Sequence, residues 1–540
     1  MPNPSSTWKL IDRWTIPICI GVGVFLFWAA ARYTVFDDEA LSCRLYTLPM
    51  GEMVRALWNG ADPDPPLYYL FENVFVHLLG VGPLGLRSFS IVCFLAGLIV
   101  IRAAAEAWFD RRTGLVTLLL CALHPAHLFF GFAARWYSMM FLVVALLLWA
   151  SAGLVDDTKK SRLAILAWAC AAAAVCYTNY FGPVVVVLVW LATVWKGWST
   201  SESFHRTLFA AIGSAVLYAP WFGPLWQEVG RFPTADGVWL SHVATAARTV
   251  AALLTGNLAN AGAWWVWIPM AAFVVAFGVL MRMHWRRIGP PALIVFGCLF
   301  AGVASGTLID KYILIFSGPA CLLVASTLTG RLSDIPSVSG EADRPTSGRS
   351  DRIWRPVLVL GLIAGWAGCF VNLVSESHWS SLRWLDPFET AVAELLEDGG
   401  AASDVTCVMT HPSARYYYAR LLPAYLQSGE ASDSVSDLET WRRFAIPPAE
   451  GSGVAAETPE SVVKRMGSGR LPVIVTMETT GFVDRFDWDM LYDILSEEYT
   501  LVGEPRYYLE DPDSAWKDRF DPKVEHPAWR IVVRRWRLRE

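Results

Sequence analysis

Charge is scarce in this chain: only 17% of its 540 residues are Asp, Glu, Lys or Arg. A soluble domain carries about a quarter, so a water-soluble enzyme or a disordered tail is excluded. A basic excess is also missing. The 44 Lys and Arg stand against 49 Asp and Glu, and the net charge of −5 excludes a basic nucleic-acid binder. There is no CxxC pair. Cys19, Cys93, Cys121, Cys170, Cys176, Cys298, Cys321 and Cys369 all fall in apolar runs, and only Cys43 and Cys407 have polar surroundings, so neither a disulfide framework nor a cysteine metal site is encoded. No repeat with a period of about 20 to 50 residues is apparent. No small-residue cleavage site follows the first apolar run, so residues 14–31 are expected to stay as a first membrane span.

Apolar sequence is abundant, at 54%, and 27 Trp and 17 Tyr suit the interface belts of a polytopic α-helical membrane protein. Because a bilayer core needs roughly 20 apolar residues per helix, cutting at charges and Gly/Pro breaks predicts about eleven spans. After 14–31 they are 84–105, 113–134, 136–155, 162–177, 181–195, 207–226, 262–281, 291–309, 312–330 and 356–374. The stretch 163–195 has no formal charge and reads as one tilted helix or as a hairpin broken near Asn179. Loop charges favour the hairpin. With it, Arg111, Arg112, Lys159, Lys160, Lys196, Arg206, Arg282, Arg286, Arg287, and Arg331, Arg344, Arg349 and Arg352 in and beside the charged, Ser/Pro/Gly-rich linker 333–353, all fall on the side of the N-terminus, the cytoplasmic side.

The predicted organisation is a transmembrane module, 1–374, followed by a small soluble α/β domain, 375–540, on the opposite, extracytoplasmic side. Strands are expected at 405–409, 472–477 and 531–533, and helices at 388–397 and 488–497. Within the first outer loop, 32–83, the segment 67–79 is too short to span, and its polar stripe of Glu72, Asn73 and His77 predicts a helix lying in the interface.

Charges in a membrane protein are costly unless they face water or a partner. Here they converge at the outer ends of spans: Asp37, Asp38 and Glu39 after the first, Arg135 and Tyr137 between the third and fourth, Asn179 and Tyr180 at the next turn, and Lys311 and Tyr312 at the last short one. Snorkelling toward the interface is the plainer explanation for Arg32 and Arg87, and a weaker one for Arg135, which is sealed between apolar runs. His124 and His127, three apart around Pro125, suit an interhelical hydrogen-bonding element better than a metal pair.

The segments "FDDEALS", "DPDPPLYYL", "GLRSFS", "HPAHLFFGFAARWYSMM", "YTNYF" and "DKYILIFSGP" follow one another in an order similar to that of the membrane glycosyltransferases of the protein O-mannosyltransferase and lipid A aminoarabinose transferase group. The resemblance covers residues 10–330. It implies a GT-C fold and transfer of one sugar from a polyprenyl-phosphate donor to an extracytoplasmic protein or glycolipid acceptor, with no cofactor required. It maps the essential acid of the first outer loop onto Asp38, with Asp37 and Glu39 as neighbours, and marks Asp64, Tyr68, Tyr137, Asn179, Tyr180 and Tyr312 as substrate-side positions. Three departures stand out: Asp64 and Asn179 occupy positions where the group commonly has His, and Lys311 replaces a common Arg.

The chemistry suits these residue types. Displacing a lipid phosphate from an anomeric carbon needs a base at the acceptor hydroxyl and positive charge at the departing phosphate. Asp38 supplies the first; Arg135 and Lys311, with Arg248 in addition, supply the second. A single required carboxylate predicts inversion. Two alternatives stay open: a divalent cation held by Asp37, Asp38 and Asp64, and a lipid or sugar transporter or flippase, which would show an inverted repeat and midplane charges. The predicted setting is a multi-pass protein of a prokaryotic cytoplasmic membrane.

Overall fold

A computed structural model describes residues 4–33, 35, 37–155, 162–197, 201–229, 264–304, 313–330 and 347–374, and farther on 392, 405–409, 473–480, 496, 499–501, 506–509 and 530–538. They divide into two compact units, one of residues 1–29, 64–68 and 88–375, the other of 30–63, 69–87 and 376–540.

The first unit is helical and built around α8 (Tyr137–Val155), which is so uniformly apolar that it is buried on nearly every side. Around it pack α5 (Pro83–Trp108), α9 (Arg162–Thr178) and α10 (Gly182–Gly197). Indole N–H groups pin two of these helices, with Trp108 Nε1 donating to Leu148 O (2.7 Å) and Trp168 Nε1 to Ser151 Oγ (2.9 Å). Gly97 lets α5 come close, since a Cβ there would lie 2.5 Å from the Phe141 ring. Among the described residues, five helical segments are long and apolar enough to cross a membrane, Trp14–Arg32, Pro83–Trp108, Tyr137–Val155, Glu202–Glu228 and Arg287–Ala304, and five further apolar helices are shorter. A multi-pass membrane protein follows.

The hairpin favoured by the loop charges is present, and other predicted spans are resolved differently. The stretch around Asn179 is a hairpin: α9 and α10 are separate helices joined by a turn in which Gly182 N donates to Asn179 O (2.8 Å). The third predicted span, 113–134, is not one helix but two, α6 (Arg111–Leu123) and α7 (Pro125–Phe130). Pro125 has no N–H to continue the ladder, and His124 caps the second piece by accepting from Ala126 N at 3.2 Å. His127 bridges elements as expected of a hydrogen-bonding histidine, with Nδ1 2.8 Å from Cys121 O and Nε2 2.6 Å from Ser317 Oγ on α14 (Ile313–Thr329). The eighth and ninth predicted spans form a helical element, α13 (Trp264–Ala304), broken at His284 (φ −112°, ψ 16°) within the expected basic connection.

At that break Arg287 Nη2 donates to Asp110 (2.6 Å), the residue that caps α6 through Thr113 N (2.8 Å). Burial raises the Asp110 pKa, but the hydrogen bonds from Thr113 N, from Arg287 and from the Thr113 hydroxyl outweigh it and leave the carboxyl below its ordinary value. A depressed folded-state pKa stabilises above the unfolded value of about 4 and is lost as pH falls through the folded one. Asp110→Asn is therefore expected to lower the melting temperature modestly at neutral pH, with the deficit closing in acid. Thermal scans of both proteins across that window check it.

In the second unit α2 (Asp37–Tyr46), α3 (Met50–Trp58) and α4 (Pro66–Leu79) follow α1 (Pro4–Arg32). The polar stripe of α4 divides: Glu72 and Asn73 are buried, while His77 is exposed along with Phe71, Val74, Leu78 and Leu79. Asn73 Nδ2 donates to Tyr46 O (2.6 Å) and Leu48 O (2.8 Å), closing the carbonyl end of α2. The C-terminal strands run β1 (Val405–Met409), β2 (Val473–Thr480), β3 (Tyr499–Leu501), β4 (Arg506–Leu509) and β5 (Arg530–Leu538). β1 is parallel to β2, β5 antiparallel to β2, and β3 and β4 both antiparallel to β5, in the order β1-β2-β5-β3. The three strands expected from the sequence are present; the helices expected at 388–397 and 488–497, apart from residues 392 and 496, lie outside the described residues.

Candidate active site

Three loops of the first unit meet at one carboxylate. Asp64, just before α4, accepts from Arg135 Nη2 on Oδ2 (2.8 Å) and from Asn179 Nδ2 on Oδ1 (3.2 Å). The Asp64 and Arg135 side chains are 5% and 6% exposed. Local structure explains both donors. Arg135 sits in the tight link between α7 and α8, where its own N–H bonds Ala133 O (2.7 Å). Asn179 spends its side-chain oxygen on Phe181 N (2.9 Å) to close the α9–α10 turn, so its NH₂ is the end that faces Asp64. The sequence placed these three residues in one outer layer; the structure joins them.

The pair is charge-neutral and charge-assisted, which makes its geometry strong but its net field small. Arg135 alone therefore brings no excess positive charge to a phosphate, and that excess would fall to Lys311 and Arg248, which, like Tyr312, lie outside the described residues. Each Asp64 oxygen thus accepts one N–H donor, one of them from a guanidinium.

The remaining tyrosines separate by role. Tyr68 Oη lies 2.9 Å from Ser90 Oγ and its ring 5.5 Å from Phe89. Tyr137 is buried against Trp136 (4.7 Å between centroids) and Phe130 (5.3 Å). Tyr180 is half-buried, and its Oη accepts from Trp221 Nε1 (3.2 Å).

In the second unit the acidic run opens a helix. Asp37 and Asp38 occupy the first turn of α2, where the helix dipole favours negative charge; their side chains lie outside the described residues. Glu39 is fully buried and bound twice by Arg87, Nη2 to Oε2 at 2.6 Å and Nε to Oε1 at 3.0 Å. The same guanidinium donates to Tyr33 O (2.6 Å) and Ala30 O (2.9 Å) at the end of α1. This overturns the snorkelling explanation for Arg87, whose side chain has no exposed surface. Desolvating a guanidinium is tolerated here because a bidentate carboxylate and two carbonyls meet it. The available signal was an Arg at the start of a span in the same outer layer as three consecutive acids.

No protein-family profile and no curated protein matches the chain. Among solved structures it is similar to ArnT from Cupriavidus metallidurans bound to undecaprenyl phosphate, with 13% identity, a TM-score of 0.56, and 97% of this chain and 98% of that one covered. The apo state of the same protein gives 13% identity, a TM-score of 0.55, and coverage of 99% and 98%. At this identity the likeness establishes architecture: the chain has the GT-C fold.

Proposed function

We propose that this protein is a glycosyltransferase that moves a sugar from a polyprenyl-phosphate donor to an extracytoplasmic protein or glycolipid acceptor. The observation that carries the reading is the end-to-end match to a GT-C structure holding undecaprenyl phosphate, a fold-level analogy. The buried Asp64–Arg135–Asn179 constellation supports it, being a preorganised polar cluster in a chain otherwise packed with apolar helices.

In the proposed reaction the acceptor oxygen attacks the anomeric carbon while Asp38 takes its proton. The bond from that carbon to the phosphate oxygen breaks, and polyprenyl phosphate departs with inversion at the sugar. Lys311 and Arg248 supply the net positive charge for the leaving group. Arg135, oriented by Asp64, adds directed N–H donors, since a guanidinium carries five. The N-terminus and the 333–353 linker are assigned to the cytoplasm and residues 375–540 to the outer side.

The test is transfer from a synthetic polyprenyl-phosphate sugar by the purified, reconstituted full chain, read as release of polyprenyl phosphate. No release, together with no binding of the lipid phosphate, would sink the proposal. Within it, Lys311→Ala and Arg135→Ala are both expected to weaken donor binding, because each removes one positive charge from the side of the leaving phosphate. Wild-type donor affinity in both variants would show that neither touches the phosphate.

A further inference from the structure

The hairpin turn that presents Asn179 to Asp64 presents its next residue, Tyr180, to a different group of side chains. Trp221 Nε1 donates to Tyr180 Oη (3.2 Å), and Trp221 packs with Tyr177 (6.3 Å between centroids), which in turn meets Tyr218 edge-to-face at 5.0 Å. These rings come from the last turn of α9, the turn after it, and the end of α11 (Ser201–Tyr218) with the short 3-10 turn Ala219–Trp221. Tyr218 is 5% exposed, yet its Oη has no hydrogen-bond partner among the described residues. Leaving a buried hydroxyl unmatched is costly, and each such group in a native protein calls for an explanation, a bound water or a functional role among them. Tyr177 and Tyr180 are half-buried, so the cluster keeps an accessible side.

Packing alone would be served equally well by Phe at position 218. A phenol held in an aromatic box matches a ligand with one apolar face and one hydroxyl edge. We propose that Tyr177, Tyr180, Tyr218 and Trp221 form a sugar-ring subsite next to Asn179, in which the rings stack on the C–H face of a pyranose or furanose and Tyr218 Oη bonds one of its hydroxyls. The inference rests on the glycosyltransferase reading above and deepens it. It makes Tyr218 a specificity-determining residue, and Trp221 a positioning residue acting through Tyr180.

The experiment compares wild type and Tyr218→Phe, both full-length in nanodiscs, binding a synthetic polyprenyl-phosphate sugar and the bare polyprenyl phosphate. Tyr218→Phe should melt at the same or a higher temperature, because the unmatched hydroxyl is gone. Its affinity for the sugar-bearing lipid should fall about tenfold, the upper range for one neutral hydrogen bond, with bare-lipid affinity unchanged. If donor affinity holds and the KM for a glycolipid acceptor rises about tenfold instead, the ring bound is the acceptor's, and the subsite stands. Trp221→Phe should shift the same parameter in the same direction. Unchanged affinity and KM in Tyr218→Phe, or equal losses for both lipids, overturns the subsite while leaving the transferase reading intact. Wild type binding neither lipid overturns both.

Discussion

Asp38→Asn is expected to fold and bind donor normally while single-turnover transfer falls by about 10² to 10⁴ fold, the range for loss of a general base. The substitution is nearly isosteric, and in the first turn of α2 the neighbouring Glu39 is already committed to Arg87, so Glu39 cannot stand in as base without breaking a buried ion pair. Stopped transfer from a polyprenyl-phosphate sugar, measured on variants shown to be folded, separates this from a structural role, in which yield and melting temperature would drop while activity per folded molecule stayed constant. Asp37→Asn is the control for register. A larger defect there would move the base to Asp37, and full activity in Asp38→Asn would end the mechanism as drawn. Addition of chelator is a further check: if activity disappears and a divalent ion restores it, a metal-assisted reaction replaces the simple base.

Arg87→Ala should be the most destabilising single change, by about 3–5 kcal/mol, because it leaves the Glu39 carboxylate buried with its charge uncompensated. It also strips a donor from the carbonyls of Ala30 and Tyr33, so the join between α1 and α2 loses its clasp. Melting in detergent reads the loss directly. The double variant Arg87→Met with Glu39→Leu should recover much of that stability, since apolar replacement of a buried pair is often close to neutral. Activity should not recover with it: α2 would be packed but no longer held at a fixed rotation, and that rotation determines where Asp37 and Asp38 sit. Recovery of both stability and turnover would show that the pair is structural only, and an unchanged melting temperature in Arg87→Ala would mean that the buried ion pair is absent.

How much of this was legible beforehand differs by feature. The hairpin at Asn179 was readable because the basic clusters fall on one side only if the chain reverses there, and the structure has that reversal. The strands at Val405–Met409, Val473–Thr480 and Arg530–Leu538 were readable from β-branched runs bounded by polar sequence. The break at His124 was missed because hydropathy averages over a window and passes smoothly across Pro125, while the backbone does not. Glu72, Asn73 and His77 were read as an interfacial stripe, and of the three only His77 is exposed. An amphipathic pattern gives a helix two faces but does not say which of them meets protein, and Asn73 turns inward because two carbonyls at the end of α2 need its donors.

The sequence by itself determined the membrane class, because solvent partition and helix period act locally along the chain. Only the tertiary structure decided which polar groups meet: Arg87 with Glu39, and Asp64 with Arg135 and Asn179. Those partners lie 48, 71 and 115 residues apart. A buried charge is matched by whatever donor the packing brings within about 3 Å, and sequence separation carries no record of that distance.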